Sequence, residues 1–162
     1  MYIVIAGGGE VGGELARTLE KAHEVVVIDR NPQARERLAP LDVKVVIGGA
    51  TEPDTLREAG VDRADLFIAS TDSDEVNLLA SLLAKGLGAR QVLCFVGKGG
   101  YVDVLADPRT AEILGTRIDK VLWPQRAMAR EIVEVILVPE AVDMELLAEG
   151  RLRFVEYRVK EG

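Results

Sequence analysis

The sequence predicts an α/β fold, a parallel sheet of about six strands wound on both faces by helices. Three observations carry this. Short runs rich in Val and Ile alternate along the chain with longer segments of helical apolar spacing. Those runs are continuously apolar, the pattern of strands buried on both faces. Aromatic residues make up only 4% of a composition that is 48% apolar, so the core is built from Val, Ile, Leu and Ala.

The elements follow in order. Tyr2–Ala6 reads as the first strand, and Val11–Lys21 as a helix with Leu15, Ala16 and Leu19 on one face. Val25–Asp29, Val43–Ile47 and Leu66–Ala69 read as the next three strands. Asp74–Lys85 carries Leu78, Leu79, Leu82 and Leu83 at helical spacing. Val92–Val96 and Ile118–Leu122 complete the sheet. Parallel strands in such an order are joined by right-handed crossovers.

The pattern changes after Trp123-Pro124. Residues Gln125–Val138 form one long helix, with Met128, Ile132, Val135 and Ile136 on one side and Val133 and Leu137 widening it. A helix apolar on several sides needs more than one surface to bury against. Packing onto its own sheet is one reading, and packing also against a second subunit is the favoured one. Pro139 ends the helix. Ala141–Glu149 reads as a short helix and Leu152–Val159 as a strand, too little for a core. The expected organisation is therefore a nucleotide-binding domain over 1–123, a crossover helix over 124–138 and a helix-strand tail over 139–162. The tail is either the start of a second domain or a segment that pairs with another chain.

A chain of 162 residues makes one ordinary domain with a small appendage. No apolar run approaches the roughly 20 residues that cross a bilayer. Met1 leads straight into a strand, which reads as the start of an intracellular protein without a signal peptide. The net charge of −7 and the lack of a Lys/Arg cluster argue against a nucleic-acid partner. The single cysteine, Cys94, reads as a small buried hydrophobe and excludes a disulfide within the chain.

Gly7-Gly8-Gly9-Glu10-Val11-Gly12 matches G-x-G-x-x-G. The pattern is weak alone, but here it follows a strand, opens a helix, and has Asp29 at the end of the next strand, 17 residues after Gly12. That context is the Rossmann dinucleotide fingerprint. Gly7 permits the tight turn, Gly9 leaves room for a pyrophosphate, and Gly12 lets helix and strand approach. Backbone N–H groups and the helix dipole attract phosphate. Asp29 accepts from the ribose hydroxyls and repels a 2′-phosphate, which favours NAD or NADH over NADP. Glu10 in the first turn suits the helix dipole, and if it faces the ligand it weighs toward NAD(H) or a diphosphate and against ATP.

Gly48-Gly49-Ala50-Thr51 ends the third strand, where it leaves room for adenine or ribose or else forms an ordinary turn. Ala69-Ser70-Thr71-Asp72 ends the fourth, followed by Asp74, Glu75 and Asn77. Ser70, Thr71 and Asp72 are natural helix caps and also face the crevice. A metal site among the carboxylates is not expected. The only histidine, His23, falls between the first helix and second strand, at the far end from the crevice, as a surface loop residue. No general base or nucleophile constellation emerges, so no catalytic residue is assigned.

These segments together resemble the RCK/KTN (TrkA-N) domain of Trk- and Ktr-type potassium-uptake regulatory proteins. The resemblance runs through Ile3–Gly12 and through His23–Asn31. It continues in Gly48–Val61 and in Thr71-Asp72-Ser73-Asp74-Glu75-Val76-Asn77, and ends in Ile118–Pro124. It implies a cytoplasmic subunit, peripheral at the inner face of the plasma membrane, that gates a membrane-embedded potassium transporter by binding NAD(H), or ADP, ATP or AMP. It also implies a homodimer through 124–138, dimers assembling into a ring, and a tail like the start of a truncated C-terminal RCK domain. By the same resemblance Gly7, Gly9, Gly12, Asp29, Arg30, Ala50, Thr51, Ser70, Thr71 and Asp72 fall at ligand-contacting positions, and with Gly8, Glu10 and Val11 of the glycine motif they make up the expected cofactor-binding set. Gly49 stands where the family usually carries an acidic residue, and Glu10 where some ATP-binding members carry a basic one.

A regulatory, non-enzymatic domain is thus the expected function. The alternative is a small NAD-dependent oxidoreductase or a subunit of one, which hydride transfer to a carbonyl compound would reveal. A redox-sensing transcription factor is disfavoured by the acidic charge and the missing helix-turn-helix.

Overall fold

A computed structural model of the chain describes residues 1–114, 118–137, 141–147 and 152–157. The chain divides into two units, Met1–Trp123 and Pro124–Gly162.

The first unit runs β1 (Tyr2–Ala6), α1 (Glu10–Leu19), β2 (Glu24–Asp29), α2 (Ala34–Leu38) and β3 (Val43–Ile47). It continues with α3 (Pro53–Glu58), a 3-10 turn (Val61–Arg63), β4 (Leu66–Ala69) and α4 (Asp74–Leu87). β5 (Gln91–Phe95), α5 (Gly99–Ala106), α6 (Pro108–Leu114) and β6 (Lys120–Leu122) complete it. The six strands lie in the order β3-β2-β1-β4-β5-β6, all parallel. The expected six-stranded doubly wound sheet is the observed one, and its strand order is that of a Rossmann fold.

Alternate residues of each strand enter different cores. Ile3 and Ile5 of β1, with Val25 and Val27 of β2 and Ile68 of β4, pack with Ala16 of α1 and Leu38 of α2. Val4, Ala6, Val26, Ile28 and Phe67 face the other way, toward Leu56 of α3 and Ala80 and Ala84 of α4. Removing a Val or Ile side chain of this kind from water contributes about 1.5–3 kcal/mol. Cys94 lies in this second core, fully buried as expected, and burial pushes its thiol pKa up.

Local sequence sets the helix ends. The Ser73 hydroxyl caps α4 by accepting from the Val76 N–H, and Gly88 stops it in the left-handed conformation, φ +116°. Pro53 opens α3 in the first turn, where its missing N–H has no helical partner to lose. His23 is only partly exposed, and its Nδ1 is buried without a hydrogen-bond partner, so it is not the simple surface residue expected.

In the second unit, α7 spans Pro124–Leu137. β7 (Ala141–Leu147) and β8 (Leu152–Tyr157) pair antiparallel. This corrects the short helix expected over Ala141–Glu149. Val142, Met144 and Leu146 alternate with Asp143 and Glu145, a period of two that outweighs the helical propensity of Met, Glu and Leu. The expected ends of these elements at Val138, Glu149 and Val159, and the stop at Pro139, lie outside the described residues. Among the described residues no helix is long and apolar enough to cross a membrane.

Candidate functional site

Parallel strands of a doubly wound sheet leave a crevice at their carboxyl ends where the strand order reverses. Here the order reverses between β1 and β4, and a cleft of about 390 Å³ opens there. Its size falls within the roughly 300–1,000 Å³ of small-molecule sites.

The loop after β1 forms the floor. Gly7 has φ +101°, and a Cβ there would come within 2.8 Å of the Ser70 carbonyl oxygen. Gly12 is closed to any side chain by the Gly7 carbonyl, so α1 sits hard against the end of β1. At Gly9 a Cβ would meet nothing within 4 Å. Gly9 is also the N-cap of α1, and no side chain caps the first-turn N–H groups. Uncapped donors beside open space at a helix N-terminus are suited to an anionic group.

The loop after β2 supplies the charged wall. Asp29 Oδ2 accepts the Gly8 N–H at 2.8 Å, and its Oδ1 accepts the Asn31 N–H at 2.7 Å. Its side chain is 13% exposed. Each carboxylate oxygen retains a second acceptor site for a ligand hydroxyl. Arg37 of α2 lies 3.5 Å from Asp29 Oδ2 and donates to the Gly8 carbonyl at 3.1 Å. Arg30 reaches over to Asp72, with Nη2 at 3.5 Å from Oδ2. Arg30 follows β2 and Asp72 follows β4, so this exposed pair bridges the two strands that flank β1.

After β3, Gly48, Gly49, Ala50 and Thr51 line the cleft. A side chain at Gly49 would run into the Glu52 carboxylate, 2.7 Å from the Cβ position. Ser70, Thr71 and Asp72 line the wall after β4. The Ser70 N–H donates to the Ala6 carbonyl at 2.8 Å, continuing the β1–β4 pairing. Behind this loop Asn77 is buried, and its side chain holds Thr71 and β5 together. Asp74 and Glu75 are committed elsewhere. Asp74 accepts from the Gly97 and Lys98 N–H groups at 2.6 and 3.1 Å. Glu75 takes hydrogen bonds from Ser73, Lys98 and Tyr101.

The cleft thus gathers Gly7, Gly9, Asp29, Arg30, Ala50, Thr51, Ser70, Thr71 and Asp72 from the expected set. Gly8, Glu10, Val11 and Gly12 do not line it. Gly8 and Gly12 shape the loop from behind, while Glu10 and Val11 are exposed at the start of α1. Sequence reasoning missed Arg37, Asn31 and Val76 on the wall. Asn31 lies two residues past Asp29 and was within reach of the fingerprint. Arg37 comes from a five-residue helix with no sequence motif of its own.

Residues 3–114 match the TrkA-N domain family model. A Trk system potassium uptake protein TrkA homolog of Archaeoglobus fulgidus is 39% identical over 165 residues, covering 100% of this chain and 36% of that protein. This chain therefore spans about a third of that relative's length. The crystal structure of the GsuK RCK domain is 27% identical, with TM-score 0.65, over 86% of this chain and 28% of that one. The GsuK channel bound to NAD shares the fold at 23% identity and TM-score 0.62, over 91% of this chain and 25% of that one. The matched residues run from β1 through α6 and contain the whole wall of the cleft, and on that match the chain belongs to the TrkA-N domain family.

Proposed function

We propose that this chain is the nucleotide-sensing part of a regulatory protein for a potassium uptake system, with NAD or NADH as its ligand and ADP, ATP or AMP as competitors at the adenosine end. The observation that carries the reading is the uncapped N-terminus of α1 opening beside Gly9, with the Asp29 carboxylate at the edge of the same cleft. The helix end suits the phosphates, and Asp29 suits a ribose diol. The likeness to TrkA proteins named for potassium uptake supplies the physiological setting.

A sensor fits better than an oxidoreductase. The ionisable side chains on the cleft wall are Asp29, Arg30, Arg37 and Asp72, and they are tied together as two ion pairs. Gly9, Arg30 and Asp72 line one cleft, so a bound pyrophosphate would compete with Asp72 for Arg30. Binding then favours one arrangement of the β2 and β4 loops, by no more than the ligand's preference for it. Met128, Ile132, Val133 and Ile136 leave an apolar face exposed on α7, which suits a second copy of the chain and, through dimers, a ring. Such an assembly would work in the cytoplasm, docked on a membrane-embedded potassium-transporting partner.

The test is rubidium flux through that partner reconstituted with the full-length protein. Flux should change when NADH or ADP is added, and Gly9→Ala should abolish the response. Nucleotide that binds but leaves flux unchanged would defeat the regulatory reading.

A further inference from the structure

The Asp29 carboxylate does not stand alone at the ribose end of the cleft. Arg37 Nη2 lies 3.5 Å from its Oδ2, an ion pair. The same nitrogen donates to the Gly8 carbonyl, whose residue's N–H in turn donates to Asp29. Among the described residues the guanidinium makes no other hydrogen bond, and it lines the cleft with its side chain 45% exposed. Arg30, the next residue after Asp29, adds a second guanidinium to the same wall. Arg30 is paired with Asp72 across the cleft, which leaves Arg37 as the guanidinium paired with Asp29.

We propose that Arg37 is a specificity-determining residue, the core of a latent site for a 2′-phosphate that the single charge of Asp29 keeps closed. The inference rests on the nucleotide reading of the cleft. A ribose 2′-hydroxyl donates to a carboxylate, whereas a 2′-phosphate has no proton to give it and is repelled by it. A planar guanidinium does the reverse, presenting forked donors that match phosphate oxygens. With Asp29 neutralised, Arg37 loses its partner and faces the cleft as an uncompensated cation. Asp29→Asn is the appropriate change, because its amide oxygen can still accept the Gly8 N–H and hold the loop. Arg37 also tempers selectivity in the wild type, since it offsets part of the field with which Asp29 repels the 2′-phosphate.

The experiment is calorimetric titration of the protein with NAD and with NADP, read as the ratio of the two dissociation constants. Wild type should prefer NAD, and Arg37→Gln alone should sharpen that preference. Asp29→Asn should move the ratio toward NADP by tenfold or more. Adding Arg37→Gln to Asp29→Asn should remove most of that gain, and Arg37→Lys, which keeps the charge, should retain much of it. A purely structural role for Arg37 would weaken both ligands together. If the Asp29→Asn ratio stays within twofold when Arg37 becomes Gln, with wild type binding NAD normally, the latent site does not exist. If wild type binds no adenine nucleotide, the nucleotide reading itself fails and this proposal falls with it.

Discussion

Asn77 grips Thr71 on three sides. Its Oδ1 accepts from the Thr71 N–H at 2.8 Å and from the Thr71 hydroxyl at 2.6 Å, while its Nδ2 donates to the Thr71 carbonyl at 3.1 Å. A fourth bond, Nδ2 to the Phe95 carbonyl at 3.1 Å, ties the grip to β5. An amide side chain that is 2% exposed has here used all its hydrogen-bonding capacity to fix one wall of the cleft. Asn77→Ala leaves buried partners unsatisfied and should cost about 2–3 kcal/mol in chemical denaturation. A loss below about 0.5 kcal/mol would mean that water replaces the amide at no cost.

The three fingerprint glycines should separate into two kinds. Gly7→Ala places a Cβ at positive φ against the Ser70 carbonyl, and Gly12→Ala drives one into the Gly7 carbonyl. Each should destabilise by about 1–3 kcal/mol or more, because the obstruction is backbone. Gly9→Ala meets open space and should leave the melting temperature within a few degrees of wild type, yet abolish nucleotide binding. Equal loss of stability in all three would remove the distinction between loop-shaping and ligand-facing glycines.

Glu75 gives the protein an acid-labile contact. Its carboxyl pKa is lowered from the ordinary 4.5 to about 2, first by its own backbone N–H in the first turn of α4, then by the Ser73 hydroxyl and the Lys98 ammonium. A depressed acid stabilises the fold while ionised. Its contribution is complete above the unfolded value and is lost as pH falls from there through the folded one. The side chain is exposed, so screening keeps the effect small. Melting temperatures of wild type and Glu75→Gln should therefore converge as pH falls from about 4.5 toward about 2. A gap that stays constant over that range would show that the ionised form is not favoured by folding.

Much of this was legible in the sequence, for identifiable reasons. β1 and β4 fell on the expected residues because a strand buried on both faces writes an uninterrupted apolar run, and β3, at the sheet edge, was legible from Val43, Val45, Val46 and Ile47 despite the exposed Lys44. The glycine loop was legible because Gly7 and Gly12 answer backbone requirements that only glycine meets, and Asp29 because it ends the next strand at the fingerprint's spacing. Arg37 was not, since it reaches the cleft from α2 by long-range placement that no local spacing records. β8 was read as a strand, but its partner β7 was misread as a helix because Met144, Glu145 and Leu146 favour a helix individually while their alternation specifies a strand. The commitment of Asp74 to the Gly97 and Lys98 amides was hidden for the same reason as Arg37, being a contact across more than twenty residues.

The apolar face of α7 makes its own prediction. Met128, Ile132, Val133 and Ile136 are 51–68% exposed. If they form a subunit interface, sedimentation velocity at micromolar concentration should give a dimer, and Ile132→Glu with Ile136→Glu should give a monomer. A wild-type monomer under those conditions would contradict the interface.

Binding of an adenine nucleotide in the cleft beside Gly9 and Asp29 should be visible in thermal denaturation with NAD, NADH, NADP, ADP, ATP and AMP. A ligand at 100 times its dissociation constant should add about 2.7 kcal/mol to folding stability. NAD or NADH should outrank NADP, and Asp29→Ala should remove most of the shift. If no adenine nucleotide raises the melting temperature of the wild-type protein, the cleft is not a nucleotide site.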